Sequence, residues 1–124
     1  MISVKPIFLN QSFSIKIEIS KKNYHLRKKD YQLSVINSSV SPLNPLLYIY
    51  SLERILYEKK IALKTRLVPG DYFDIWWIGQ KLGKNFVIPK PKINKSKFID
   101  EINQLLPDNF KNWAKDFLKK YERR

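Results

Sequence analysis

Apolar and polar residues alternate without interruption from Phe13 to Ile19. Phe13, Ile15, Ile17 and Ile19 fall on one side, and Ser14, Lys16 and Glu18 on the other. A period of two predicts a half-buried β-strand with one wet face. Ile2 to Leu9 reads as its partner across a turn near Asn10-Gln11, with Pro6 marking an edge. Tyr31, Leu33 and Val35 repeat the alternation and predict a third strand, which leaves residues 20–30 as a loop or flared hairpin arm.

The period then changes. Asn44-Pro45 offers an oxygen-bearing cap followed by proline at the first helical position. Leu46, Ile49, Leu52, Ile55 and Leu56 follow at helical spacing and predict an amphipathic helix over 45–59. Ile61, Leu63, Thr65 and Leu67 alternate again and predict a strand, Val68-Pro69-Gly70-Asp71 a β-turn, and Tyr72 to Ile78 a second strand. Gly79 to Lys84 reads as a loop and Asn85 to Ile88 as a short strand ended by Pro89. Pro89-Lys90-Pro91-Lys92 is stiff and non-helical. Ser96 caps a helix carrying Phe98, Ile102, Leu105 and Leu106 on one face. Pro107-Asp108 starts a last helix with Phe110, Trp113, Phe117 and Tyr121 as its buried stripe. The expected class is α+β: an antiparallel sheet of about five to six strands with one central helix and two C-terminal helices. Residues 1–124 read as a single basic domain, with 90–124 as at most a helical appendage.

Charge gives this outline a direction. No acidic residue stands between Asp74 and Asp100, whereas Lys81, Lys84, Lys90, Lys92, Lys95 and Lys97 all do. Lys21, Lys22, Arg27, Lys28 and Lys29 crowd a second stretch before Asp30. With 24 Lys and Arg against 11 Asp and Glu, the formal net charge is +13. Such a surface repels itself and points to a polyanionic partner. The 44% hydrophobic and 14% aromatic content excludes a wholly disordered basic tail.

Other classes fall away on composition. The chain has no cysteine, so disulfides and thiolate metal sites are excluded, and His25 alone makes no histidine-rich site. No metal and no cofactor is expected. Met1 to Leu9 is broken by Lys5 and Pro6 and lacks a signal-peptide core, and the first arginine, Arg27, comes too late for a mitochondrial presequence. Residues 31–52 are uncharged, but Gln32, Asn37, Asn44, several serines and two prolines argue against a membrane span. Asp108, Asp116 and Glu122 dilute the charge of the last helix and argue against an anionic membrane. The expectation is a soluble, intracellular (cytoplasmic) protein without a membrane partner.

The register of the expected central hairpin gives a candidate surface. If Pro69-Gly70 joins the strands directly, Lys64 and Arg66 lie beside Phe73, Ile75 and Trp77 on one face, and Trp76 points to the other. Rings interleaved with cations suit a single-stranded nucleic acid, stacking its bases and tracking its phosphates. The alternative is that these rings are core, with basic stems reaching past them to water.

Catalytic chemistry finds weaker support. Gly79-Gln80-Lys81-Leu82-Gly83-Lys84 resembles a phosphate-binding loop, but it is one residue short, and Asn85 stands where a hydroxyl would bind magnesium. His25 lies among cations with Tyr24, Arg27 and Tyr31, a set a small metal-independent ribonuclease would use. Asp71 and Asp74 are three apart, but in an extended strand they point to opposite faces, with Asp74 across from Thr65. The sequence therefore points to non-catalytic binding of a nucleic-acid backbone, RNA ahead of DNA, by a small basic subunit of a larger nucleoprotein complex. The nucleic-acid-binding candidates are Lys21, Lys22, Arg27, Lys28, Lys29, Lys64, Arg66, Phe73, Trp77, Lys81, Lys84, Lys90, Lys92, Lys95 and Lys97. A protein-interaction module or inhibitor on an acidic protein surface is the alternative, and the ribonuclease a second one.

Overall fold

The computed structural model describes residues 2–4, 13–15, 19 and 25–122. Its strands are β1 (Ile2–Val4), β2 (Phe13–Ile15), β3 (Tyr31–Val35) and β4 (Leu46–Tyr50). Its helices are α1 (Leu52–Thr65), α2 (Pro69–Leu82), α3 (Lys95–Leu105) and α4 (Trp113–Glu122), with single 3-10 turns at Lys28–Asp30 and Asp108–Phe110. The class is α+β in broad terms. The expected sheet of five to six strands is overturned: among the described residues, β1 pairs only with β2 and β3 only with β4. Among them, too, no helix is long and apolar enough to cross a membrane.

β1 and β2 are antiparallel, with Ile2 opposite Ile15 and Val4 opposite Phe13. The remaining parts of those two expected strands lie outside the described residues. β3 stands where the alternation puts it, and its partner is β4, with Tyr31 opposite Tyr50, Leu33 opposite Tyr48 and Val35 opposite Leu46. β4 occupies the residues expected to open a helix at Pro45. Leu46 to Tyr50 is an unbroken apolar and aromatic run that suits a strand, and the helix start lies further on. Ser51 is the N-cap of α1, and its Oγ accepts the Arg54 N–H at 3.2 Å. Opposed residues share a face, so Tyr31, Leu33, Val35, Leu46, Tyr48 and Tyr50 form one apolar side of the ribbon. All six are exposed, from 38% at Tyr31 to 72% at Tyr48.

The central pair of strands is in fact a helical hairpin. Leu52, Ile55, Leu56 and Leu63 keep helical spacing, and no glycine or proline interrupts the run, so α1 continues through the short alternation at 61–65. Val68-Pro69-Gly70-Asp71 starts α2 instead of closing a β-turn, with Pro69 in the first helical turn. Within α2, Tyr72, Ile75, Ile78 and Gly79 are buried at intervals of three or four, which a strand cannot produce.

Asp71 binds the two helices together. Its side chain is 2% exposed. Its carboxylate accepts from Lys59 Nζ at 2.9 Å, Arg66 Nε at 2.8 Å and Arg66 Nη2 at 2.9 Å. Lys59 also reaches Asp74 Oδ2 at 2.6 Å. The carboxylates of Asp71 and Asp74 thus converge on one ammonium, which corrects the expectation that they point apart. Asp74 faces Lys59, and Thr65 Oγ1 donates instead to the Ala62 carbonyl at 3.3 Å. Burial pushes the Asp71 carboxyl upward, but the hydrogen bonds and charges of Arg66 and Lys59 outweigh it and hold the group below its ordinary value.

The end of α2 is equally defined. Gly83 sits at φ 62°. Its N–H donates to the Gln80 carbonyl at 3.2 Å, and the Lys84 N–H to the Gly79 carbonyl at 2.9 Å. These are the paired bonds of a Schellman cap. Gly79–Lys84, expected as a loop, is therefore the last turn of a helix and its stop. Among the described residues Asn85–Ile88 pairs with no strand, which corrects the expectation of a short third strand there. Asn94 rather than Ser96 caps α3, accepting the Ser96 N–H at 2.9 Å and the Lys97 N–H at 3.3 Å. One core joins Tyr72, Phe98, Ile102, Ala114, Phe117 and Leu118. A second joins Leu56, Ile75 and Ile78, and Leu63 and Ile88 pack against both. α2 contributes to each and is the central element.

Asp71→Asn should lower the unfolding free energy by about 2–3 kcal/mol, below the ~3–5 of a fully buried pair because Lys59 and Arg66 keep access to water. A carboxyl held low in the folded state stabilises fully above about pH 4 and loses that contribution as pH falls through its folded value. Chemical denaturation between pH 2 and pH 6 should show this acid slope, and the variant should show less of it.

Candidate nucleic-acid interface

Phe73, Trp77 and Lys81 are four residues apart and therefore stand in one row along α2. The Phe73 and Trp77 rings stack at 6.1 Å and 18°, and Lys81 Nζ lies 4.9 Å from the centre of the Trp77 ring. Phe110 meets Trp77 edge-on at 5.6 Å, and Trp113 meets Phe73 edge-on at 5.0 Å. Phe73 is the half-buried base of this row, and Trp77, 38% exposed, is its outer member. Trp76 is half-buried, 6.2 Å from Trp77. Neighbours on a helix lie about 100° apart, so both tryptophans reach one cluster. The expectation that they oppose each other across a strand is overturned with the strand itself.

The cation beside the rings also differs from the expected pair. Lys64 is exposed at the end of α1, Arg66 is committed to Asp71, and Ile75 is core. Lys81 takes the place expected of Lys64 and Arg66. Lys81 is among the candidates expected from charge, but only a helix makes residues four apart direct neighbours, so the strand reading did not set it beside Trp77.

Beyond Trp76 lies a recess of about 440 Å³ between the end of α2, the segment 84–88 and α4. Trp76, Phe86 and Tyr121 give it rings, Gln80 and Asn85 amides, and Lys84 and Lys120 ammonium groups; among the described residues no acid lines it. The Tyr121 hydroxyl donates to the Ile88 carbonyl at 2.6 Å and ties α4 to the segment. Lys60 Nζ lies 4.3 Å over the Phe86 ring. A Cβ on Gly79 would stand 2.9 Å from the Lys84 carbonyl and 3.0 Å from Phe86, so glycine lets this segment fold back across α2. Sequence reasoning missed Phe86, Gln80, Asn85, Lys120 and Tyr121 as site residues. The available signal was a buried-face glycine one turn before a capping glycine.

The other candidates divide by location. Lys90, Lys92, Lys95 and Lys97 are exposed, as expected of that segment. Two are paired: Lys95 Nζ donates to Glu122 Oε1 at 2.6 Å, and Lys97 lies 3.8 Å from Glu101. The Lys95 hydrogen bond, with the charges of Lys95, Lys90 and Lys119, holds the Glu122 carboxyl below its ordinary value. Lys90 and Lys95 thus gather at the end of α4. Arg27, Lys28 and Lys29 are exposed at the 3-10 turn before β3, where the Arg27 N–H donates to the buried Asp30 at 2.8 Å. Lys21 and Lys22 lie outside the described residues.

The catalytic candidates acquire positions as well. His25, Arg27 and Tyr31 share an open recess of about 1000 Å³ with Arg54 and Tyr57, but Asp30 and Glu53 line it too. Tyr24 lies outside the described residues. Among the described residues, no group of three or more His, Asp or Glu is placed to hold a metal ion. Gly79–Lys84 cannot act as a phosphate loop, which precedes a helix; here it ends one, at the negative pole of the dipole.

Phe73→Ala should destabilise the protein by about 3–4 kcal/mol and Trp77→Ala by about 1–2 kcal/mol, since only the first removes a ring enclosed by others. Urea unfolding checks both, and equal losses would place Trp77 in the core. Comparison with protein-family models, with curated proteins and with solved structures finds no match to this chain.

Proposed function

We propose that this protein is a non-catalytic nucleic-acid-binding domain that holds single strands, RNA ahead of DNA, by phosphate contact and base stacking. Its role would be that of a small basic subunit in a nucleoprotein complex. The observation that carries this reading is the Phe73–Trp77–Lys81 row: an outer ring backed by a second ring, with an ammonium at its face. Stacking on such a ring is tolerant of sequence, and a cation beside it meets the phosphate of the stacked nucleotide. The excess of +13 supplies the long-range attraction. A second reading, a module docking on another protein, is favoured by one feature alone, the exposed apolar side of the β3–β4 ribbon.

Fluorescence anisotropy with a labelled single-stranded 12-mer at several salt concentrations tests the proposal. If roughly six cations meet phosphates, log affinity should fall against log salt with a slope of about −4 to −5. Trp77→Ala should weaken binding by about 1–3 kcal/mol without changing the slope. Lys81→Ala should reduce the slope by about 0.7. A flat salt response with wild-type protein would reject the reading and leave the protein-docking one.

A further inference from the structure

We propose that the recess beside Trp76 is a pocket for one nucleotide unit, a planar base with its phosphate, which rests on the strand-binding reading above and adds to it a second base contact that reads the base edge. At about 440 Å³ it falls within the roughly 300–1,000 Å³ of small-ligand sites. Three chemical features converge there. Trp76 and Phe86 bring half-buried rings into its lining, where a base can meet them, with Lys60 over the Phe86 ring. The side-chain amides of Gln80 and Asn85, exposed and without a hydrogen bond to another described residue, carry both donors and acceptors, which is what a base edge requires. Lys84 and Lys120 stand at the rim without an acidic partner among the described residues.

The comparison with the other recess decides the sign of the ligand. The larger opening near β3 holds Asp30 and Glu53, whose charges repel a phosphate. Among the described residues, the recess at α2 and α4 has no acid in its lining. Its position also fits a strand already held on the row. Trp76 and Trp77 are 6.2 Å apart, roughly twice the 3.4 Å rise of stacked bases, so two consecutive unstacked bases can meet them in turn. Gly79 sets the depth of the pocket, because any side chain there would displace Phe86 or the backbone at Lys84.

The test uses the full chain with three probes: a base-bearing single-stranded 12-mer, a strand of equal length made of abasic residues, and nucleoside monophosphates. Wild-type protein should bind the base-bearing strand about tenfold or more tightly than the abasic one. The double variant Gln80→Ala, Asn85→Ala changes only exposed side chains, and an unchanged melting temperature confirms the fold. It should lose about tenfold for the base-bearing strand and nothing for the abasic one. Monophosphate binding, read by quenching of tryptophan fluorescence and abolished in the variant, would support the pocket even if neither strand bound, identifying free nucleotide as its source. A preference for the base-bearing strand that the double variant keeps in full, with no monophosphate binding, would overturn the pocket and leave the strand-binding reading on the Trp77 row intact. Equal, salt-dependent binding of both strands by wild type, with no monophosphate binding, would overturn the pocket and the stacking part of that reading together, leaving phosphate contact alone.

Discussion

A buried carboxylate that must remain ionised is the constraint from which the rest of this structure follows. Asp71 is shielded from solvent, so the fold has to bring donors, and it brings them from the middle of α1 and the residue just beyond its end. That requirement sets how α1 and α2 lie together. Once α2 is placed, its buried face carries Tyr72 into one core and Ile75 and Ile78 into the other. The aromatic row and the acid-free recess lie on what remains of its surface. Stability and display are therefore properties of a single helix read at different angles.

How much of this was legible in the chain depends on the length over which a period could be read. β3 and α3 stand close to where spacing alone puts them, and so does the body of α4, because each admits one period; the start expected at Pro107-Asp108 is instead a 3-10 turn, and α4 begins at Trp113. The stretch from Ile61 to Ile78 admits two. Ile61, Leu63 and Thr65 alternate, yet the same residues continue the helical set begun by Leu52, Ile55 and Leu56. Pro69-Gly70 suits the centre of a β-turn and the first turn of a helix alike. Asp71 would have decided the matter, since an acid in the first turn facing Lys59 and Arg66 makes sense only if both flanks are helical. That pairing is tertiary, and no local window contains it.

The site followed the same logic. The notion of a ring with a cation beside it survived the change from strand to helix, but the identity of the cation did not. In a strand Trp77 has Phe73 and Ile75 as same-side neighbours; in a helix it has Phe73 and Lys81. Lysines at 81, 84, 119 and 120 stand near helix C-termini, where the macrodipole favours cations. Local helix chemistry thus places positive charge at the rim of the recess irrespective of what occupies it.

The β3–β4 ribbon carries a consequence for how the molecule behaves in a crowd of its own kind. It has an apolar side and, among the described residues, strand edges with no further partner, which is what edge-to-edge association requires. No charged residue lies between Tyr31 and Leu52 to guard them. Protection comes from elsewhere, through the repulsion of two bodies each carrying +13. That protection is colloidal rather than structural, and it has a range: about 10 Å at 0.1 M ionic strength and about 3 Å at 1 M. High salt, or a polyanion that neutralises the surface, therefore removes the barrier between ribbons while leaving each fold untouched.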